Sequence, residues 1–452
     1  MVHVVGGGLA GSEAAWQIAS RGVPVTLHEM RPVVGTAVHG TDRLAELVCS
    51  NSFRSDKRDN AVGLLKEELR LLGSLVMRSA DRTRVPAGAA LAVDRRRFAD
   101  EVTREVESHP LITVVREEIR QVPDSSENAP VIIATGPLTS DALSADIAAL
   151  VGESHLSFYD AISPIVHADT IDRSRVFRAS RWNRSLGGGD RDGDGDYVNC
   201  PLTRDEYVDF HDALVHAECA SVHDFDREKF FEGCLPIEVM AHRGPDTLRF
   251  GPMRPVGLID PRTGRRPYAV LQLRQDDLAG DHLSLVGFQT QLRRGEQARV
   301  LRLIPALARA EFVRFGMVHR NTYINAPAIL LETWRLKCRP SLLCAGQLSG
   351  VEGYVESTAS GLIAGRNAAA LARGLGLSVP PRTTAVGALG YYVSHADPHN
   401  YQPTNVTFGI MEPLPPGESR GGSRLARHTA LATRALAALR RWAESEAGEG
   451  RR

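Results

Sequence analysis

Val2-His3-Val4-Val5-Gly6-Gly7-Gly8-Leu9-Ala10-Gly11 opens the chain, and the reading of this stretch decides the fold. A short β-branched run predicts a buried strand, the glycines a tight turn, and Leu9 to about Ser20 an alanine-rich helix. Val25-Thr26-Leu27-His28-Glu29 then reads as a second strand, which completes a βαβ unit. Gly6, Gly8 and Gly11 satisfy G-x-G-x-x-G between strand and helix. The first glycine permits the turn, the second lets backbone N–H groups approach a pyrophosphate at the helix N-terminus, and the third allows close helix–strand packing. Glu29 lies eighteen residues beyond Gly11, where a carboxylate can accept hydrogen bonds from an adenosine ribose. Gly6, Gly7, Gly8, Leu9, Ala10, Gly11 and Glu29 are therefore expected to bind a dinucleotide.

Further along, Val131–Ala134 ends in Thr135-Gly136-Pro137, and Leu342-Leu343-Cys344-Ala345-Gly346 repeats the strand-then-glycine pattern. Strand-end glycines of this kind resemble those with which FAD-dependent folds contact their cofactor, so Gly136 and Gly346 join the site. The helix that follows carries Gly361, Ala364, Gly365 and Ala368 on one face. Gly361 is assigned to the cofactor, the alternative being close helix packing alone. No second complete glycine fingerprint is present, which argues against a separate nicotinamide-binding Rossmann domain.

At 452 residues the chain is too long for one core. Ser185–Asp196 is a Gly/Asp-rich loop and marks a boundary. The expected division is a first part of the cofactor domain over 1–195, an inserted domain over 196–325, and the rest of the first domain with a C-terminal helix over 326–452. Basic and acidic side chains number 54 each, so no global field advertises a nucleic acid. Six scattered cysteines, with no signal-peptide pattern at the start, read as a cytoplasmic protein with reduced thiols. No run of eighteen apolar residues is present, so no membrane span is expected.

Several longer segments carry a resemblance. Leu44–Asp56, which contains Cys49-Ser50-Asn51-Ser52-Phe53-Arg54, is similar to a signature of the folate- and FAD-dependent tRNA uracil-C5 methyltransferases. So are Asn60–Glu68, Arg84–Gly88, Ala92–Arg95, Phe231–Glu238, Thr247–Leu258, Gly350–Ser357 and Tyr401–Gly409. Two departures are Phe53, where leucine is common, and an acidic Gly187–Asp196 loop longer than the family's pattern. The resemblance implies an α/β architecture: a Rossmann-like FAD-binding domain of the two-dinucleotide flavoprotein type, interrupted by an α+β insertion on the RNA and folate side.

The activity it implies is formation of 5-methyluridine at the T-loop uridine of tRNA. FAD is then the cofactor, 5,10-methylenetetrahydrofolate the carbon donor, and NADH or NADPH the reductant. The partner is the tRNA T-arm, and no stable protein partner is expected. Uracil C5 is a poor nucleophile until something adds to C6, and a thiolate is the usual protein group for that addition. Cys234 is the candidate, within Glu232-Gly233-Cys234-Leu235-Pro236. Cys49, similar to the family's second functional cysteine, is assigned a redox or proton-transfer role, and Glu238 an acid or base role only if the fold brings it to the site. Cys200, Cys219, Cys338 and Cys344 are read as structural.

Alternatives are a related FAD and folate enzyme acting on another uridine (ribosomal RNA or the tRNA wobble position), a small-molecule flavin oxidoreductase, or a noncatalytic RNA-binding flavoprotein. No metal is expected. Asp190, Asp192 and Asp194 mimic a calcium loop, but Pro201 would fall at its twelfth position, and His216, Cys219 and His223 fit no standard zinc spacing. Arg173, Arg175, Arg178, Arg181 and Arg184 form a basic stretch, read equally as phosphate contacts or a solvated face.

Overall fold

The structure is a computed structural model. It describes residues 1–36, 38–152, 156–161, 163–183, 195–219, 235–277, 279–316, 318–399, 401–415 and 423–449.

The opening residues form the expected unit. Val2–Val5 is a strand, Leu9–Ala19 a helix and Val25–Glu29 a strand parallel to the first. Five parallel strands lie in the order Leu342–Cys344, Val131–Ile133, Val2–Val5, Val25–Glu29 and Ile112–Arg116. All residues of Val25–Glu29 are buried, as a parallel strand covered on both faces requires. The helix Tyr354–Ala372 follows the edge strand and packs along Leu9–Ala19. A Cβ at Gly361 would fall 2.2 Å from the Ala10 carbonyl oxygen, and one at Gly365 2.6 Å from that of Ala14, so these helices meet backbone to backbone.

Local signals elsewhere have clear physical reasons. Asn60 caps the helix Ala61–Leu71, its side chain accepting from the Val62 N–H, and Gly73 takes a left-handed φ of 76° just past the end. Glu13, wholly buried on the first helix, accepts from Ser74 Oγ at 2.7 Å, Val76 N at 3.0 Å and Gln17 Nε2 at 2.9 Å. It thereby supplies the first turn of the helix Leu75–Arg82 with an acceptor from a distant segment. Glu13→Ala leaves these buried donors unmatched and is expected to cost about 3 kcal/mol, read as a lowered urea midpoint with unchanged slope.

A second, antiparallel sheet has the order Phe177–Arg178, Tyr197–Leu202, Ala269–Gln275, His282–Leu285, Ile165–His167 and Phe312–Arg314. It has its own core, which includes Val198, Phe210, Leu271, Leu285 and Phe288. Ile165–His167 and Phe177–Arg178 belong to this sheet, and Val166 and Ile171 to its core. The division expected at residue 195 therefore falls inside the sheet rather than before it. The chain's two crossings between the sheets, Leu156–Ala161 and Val318–Tyr323, pair with each other antiparallel.

The final helix, Arg424–Glu449, buries Ala432, Ala435 and Leu439 in the main core. Among the described residues no helix is long and apolar enough to cross a membrane.

Candidate functional site

A cleft of about 1010 Å³, its open mouth included, runs along the ends of the parallel strands. It is lined by Gly6, Gly7, Gly8, Leu9, Ala10, Glu29, Gly136 and Gly346, among others. Gly6 has a φ of 102°, and a Cβ there would meet the Ala134 carbonyl oxygen at 2.6 Å, so the turn itself requires glycine. Gly8 is different. Its φ of −73° suits any residue, and a Cβ there would meet nothing within 4 Å. As the N-cap of Leu9–Ala19 it offers no side chain to the first turn, whose N–H groups open on the cleft. A bare, positive helix end facing a cleft that an added Cβ would enter fits a dinucleotide pyrophosphate.

Glu29 is held from two sides. Its Oε2 accepts from Gly7 N at 2.9 Å and its Oε1 from Arg31 N at 3.0 Å and Arg31 Nε at 2.9 Å. Burial pushes its pKa up, but Arg31 and these backbone donors outweigh that and hold it below the ordinary value. The carboxylate stays charged, with lone pairs left for a ribose hydroxyl.

Two expected cofactor residues stand elsewhere. Gly11 packs against the turn, where a Cβ would lie 1.8 Å from the Gly6 carbonyl oxygen. Gly361 packs on Ala10 and does not line the cleft. Its smallness serves the helix contact, which corrects its assignment to the cofactor.

Cys49 stands at the far end, beside Val48 and Tyr354 of the lining. The Tyr354 hydroxyl oxygen accepts from Cys49 N at 2.9 Å and Ser50 N at 3.1 Å. The Cys49 carbonyl accepts from Arg95 Nη2 at 3.1 Å and Arg314 Nη2 at 3.0 Å. Arg95 also pairs with Asp276 at 2.9 Å, and Arg274 donates to Asn51 Oδ1 at 2.8 Å and Ser50 Oγ at 3.1 Å. Burial, then repulsion from Arg95, lowers the Arg314 pKa to about 10, and burial raises that of Tyr354. The cysteine peptide is thus fixed at both ends beneath three guanidinium groups from distant segments. Sequence reasoning missed Tyr354, Arg95, Arg274 and Arg314 because no local spacing connects them.

Cys234 lies outside the described residues, as do His223, Arg184 and the carboxylates at 190, 192 and 194. Glu238 is buried away from the cleft, accepting from Gln291 N at 2.7 Å and Thr290 Oγ1 at 2.9 Å. It anchors the 290–292 turn to the helix Ile237–His242. Cys200 and Cys344 are buried, while Cys219 is half-buried and Cys338 exposed.

Comparison with known proteins places this arrangement. A family model described as "Glucose inhibited division protein A" matches residues 1–376. A protein of Desulforudis audaxviator is 58% identical over 449 residues, 99% of each chain. One of Moorella thermoacetica is 56% identical over 96% of each. Both are named "Methylenetetrahydrofolate--tRNA-(uracil-5-)-methyltransferase TrmFO". Among solved structures, Aquifex aeolicus GidA in its form II crystal covers 98% of this chain with 73% of its own, at a TM-score of 0.71 and 18% identity. That likeness shows a shared α/β flavoprotein fold with an inserted domain. With these relatives matched end to end, the chain belongs to the GidA/TrmFO family of folate- and FAD-dependent tRNA (uracil-5-)-methyltransferases.

Proposed function

We propose that this protein forms 5-methyluridine at the T-loop uridine of tRNA, with FAD as cofactor, 5,10-methylenetetrahydrofolate as carbon donor and a reduced nicotinamide as reductant. The observation that carries the reading is the cleft that runs from a bare glycine-turn helix end to Val48 and Tyr354, beside the held peptide of Cys49, in a chain 58% identical along its length to a named methyltransferase. Gly6–Ala10 receive the pyrophosphate and Glu29 the ribose. Gly136 and Gly346, with φ of 67° and 74°, let the strand ends approach the cofactor.

When bound, a reduced flavin supplies one-carbon transfer and the hydride that completes the methyl group. The protein's own groups prepare the acceptor. The Cys234 thiolate bonds to C6 of the uracil, the C5–C6 electron pair moves toward C5, and C5 becomes the nucleophile. Once C5 has its new carbon, Cys49 removes the C5 proton and the electron pair left at C5 breaks the bond between that carbon and its carrier. After hydride has completed the methyl group, the electron pair returned to C5 expels the Cys234 thiolate and restores the C5–C6 double bond. Tyr354, Arg95 and Arg314 hold Cys49 by its peptide, so the backbone from which its thiol acts keeps one position while the proton is removed.

The test follows the carbon. Incubated with a tRNA transcript, labelled methylenetetrahydrofolate and NADPH, the holoenzyme should place label in 5-methyluridine, read by nucleoside mass spectrometry. Methyl transfer from labelled S-adenosylmethionine with folate absent would overturn the proposal.

A further inference from the structure

Alternate residues of Ala269–Gln275 share one face of the inserted sheet. At one end of that face Arg274 reaches Ser50 and Asn51, beside Cys49. One step along, about 7 Å away, the Gln272 side-chain oxygen accepts from Arg181 Nε at 2.9 Å. Arg181 also donates to the carbonyls of Arg254 and Val256, and the Trp182 N–H donates to the Gly257 carbonyl at 3.1 Å. Burial, then repulsion from Arg254, lowers the Arg181 pKa to about 10. Neither arginine makes an ion pair among the described residues.

Beside Arg181 lies an aromatic surface. The indole of Trp182 rests on Gly257, where a Cβ would fall 2.9 Å from the ring, and 62% of Trp182 is exposed. Trp182 has a left-handed φ of 61° and Gly257 one of 84°, so the ring's position is set by the backbone on both sides. An indole fixed on one face and bare on the other, beside Arg181 and Arg254, neither of which makes an ion pair among the described residues, suits a base with its phosphate. The strand Ala269–Gln275 links this surface, through Gln272 and Arg274, to Ser50 and Asn51 beside Cys49, which places that base on the same RNA as the target uridine.

We propose that Trp182 is a stacking platform for a nucleotide neighbouring the target uridine, with Arg254 meeting its phosphate. This rests on the RNA-modifying reading above. The basic stretch that includes Arg181 thus divides by role, since Arg181 builds the platform while Arg173 ties back to the Ala168 carbonyl at 2.9 Å.

The test uses the flavin-loaded full chain and a T-arm stem-loop RNA, with binding followed by fluorescence anisotropy and methylation by label. Trp182→Asn removes the ring with a residue that tolerates the left-handed backbone, and Trp182→Tyr keeps an aromatic face. The asparagine variant should bind roughly 5- to 150-fold more weakly, raising KM for RNA with kcat at saturation within about twofold and full flavin absorbance. The tyrosine variant should recover most of the affinity. Arg254→Ala should lower the slope of log affinity against log salt by about one. If wild type binds and methylates RNA while Trp182→Asn binds equally well, the platform is overturned and the functional reading survives. A wild type that neither binds nor methylates RNA overturns both.

Discussion

Gly8→Val is expected to give a folded, colourless protein. The backbone at Gly8 has the extended φ and ψ of −73° and −168°, which valine adopts without strain, and no protein atom lies within 4 Å of the added Cβ. The new methyl groups enter the cleft at the helix end where the pyrophosphate must approach the backbone. Filling that space should weaken flavin binding by about 100-fold or more, so that purification removes the cofactor. Gly11→Val separates this effect from loss of fold, since its Cβ would sit 1.8 Å from the Gly6 carbonyl oxygen and force helix from strand. The first variant should keep a cooperative melt without visible flavin absorbance, and the second should lose both. A Gly8→Val protein that purifies with a full complement of flavin would remove this turn from the cofactor site.

Cys234→Ala is expected to abolish methylation while leaving flavin absorbance intact. Without a thiolate at C6, uracil C5 has no route to sufficient nucleophilicity, and losses of about 1000-fold or more accompany removal of an attacking group. RNA carrying 5-fluorouridine provides the second readout. It has no removable proton at C5, so the wild type should stall after carbon transfer as a denaturation-resistant protein–RNA adduct, and Cys234→Ala should form none. Cys49→Ala should still form the adduct and fail later, in keeping with proton removal. Persistent methylation by Cys234→Ala, or an adduct mapped to another cysteine, would move the nucleophile elsewhere.

The features legible in the sequence were those written in neighbouring residues. The glycine turn with its flanking strands and the Asn60 cap each fall within a few positions, so local sterics and hydrogen bonding suffice to read them. The start of the inserted sheet was missed because Ile165–His167 and Phe177–Arg178 are three and two residues long, too brief to show a period, and their partners lie far along the chain. Gly361 was ambiguous for another reason. A missing Cβ serves a ligand and a helix crossing equally well, and only the position of Ala10 distinguishes them. Arg95, Arg274 and Arg314 reach Cys49 and its neighbours from three segments, a convergence made by the fold alone.

The strand order of the parallel sheet also bears on how the protein is made. Val131–Ile133 pairs with Val2–Val5 on one side and with Leu342–Cys344 on the other. A ribosome therefore releases the whole inserted domain before it releases the edge strand and the helix Tyr354–Ala372 that close the cleft. The nascent segment before the insertion carries an unpaired strand edge and a first helix not yet covered by Tyr354–Ala372 throughout that interval, a state exposed to mispairing. Because Gly346, Tyr354 and Ser357 follow the inserted domain in the chain, the cofactor cleft is completed only after that domain has been made, and flavin can stabilise the fold only from that point.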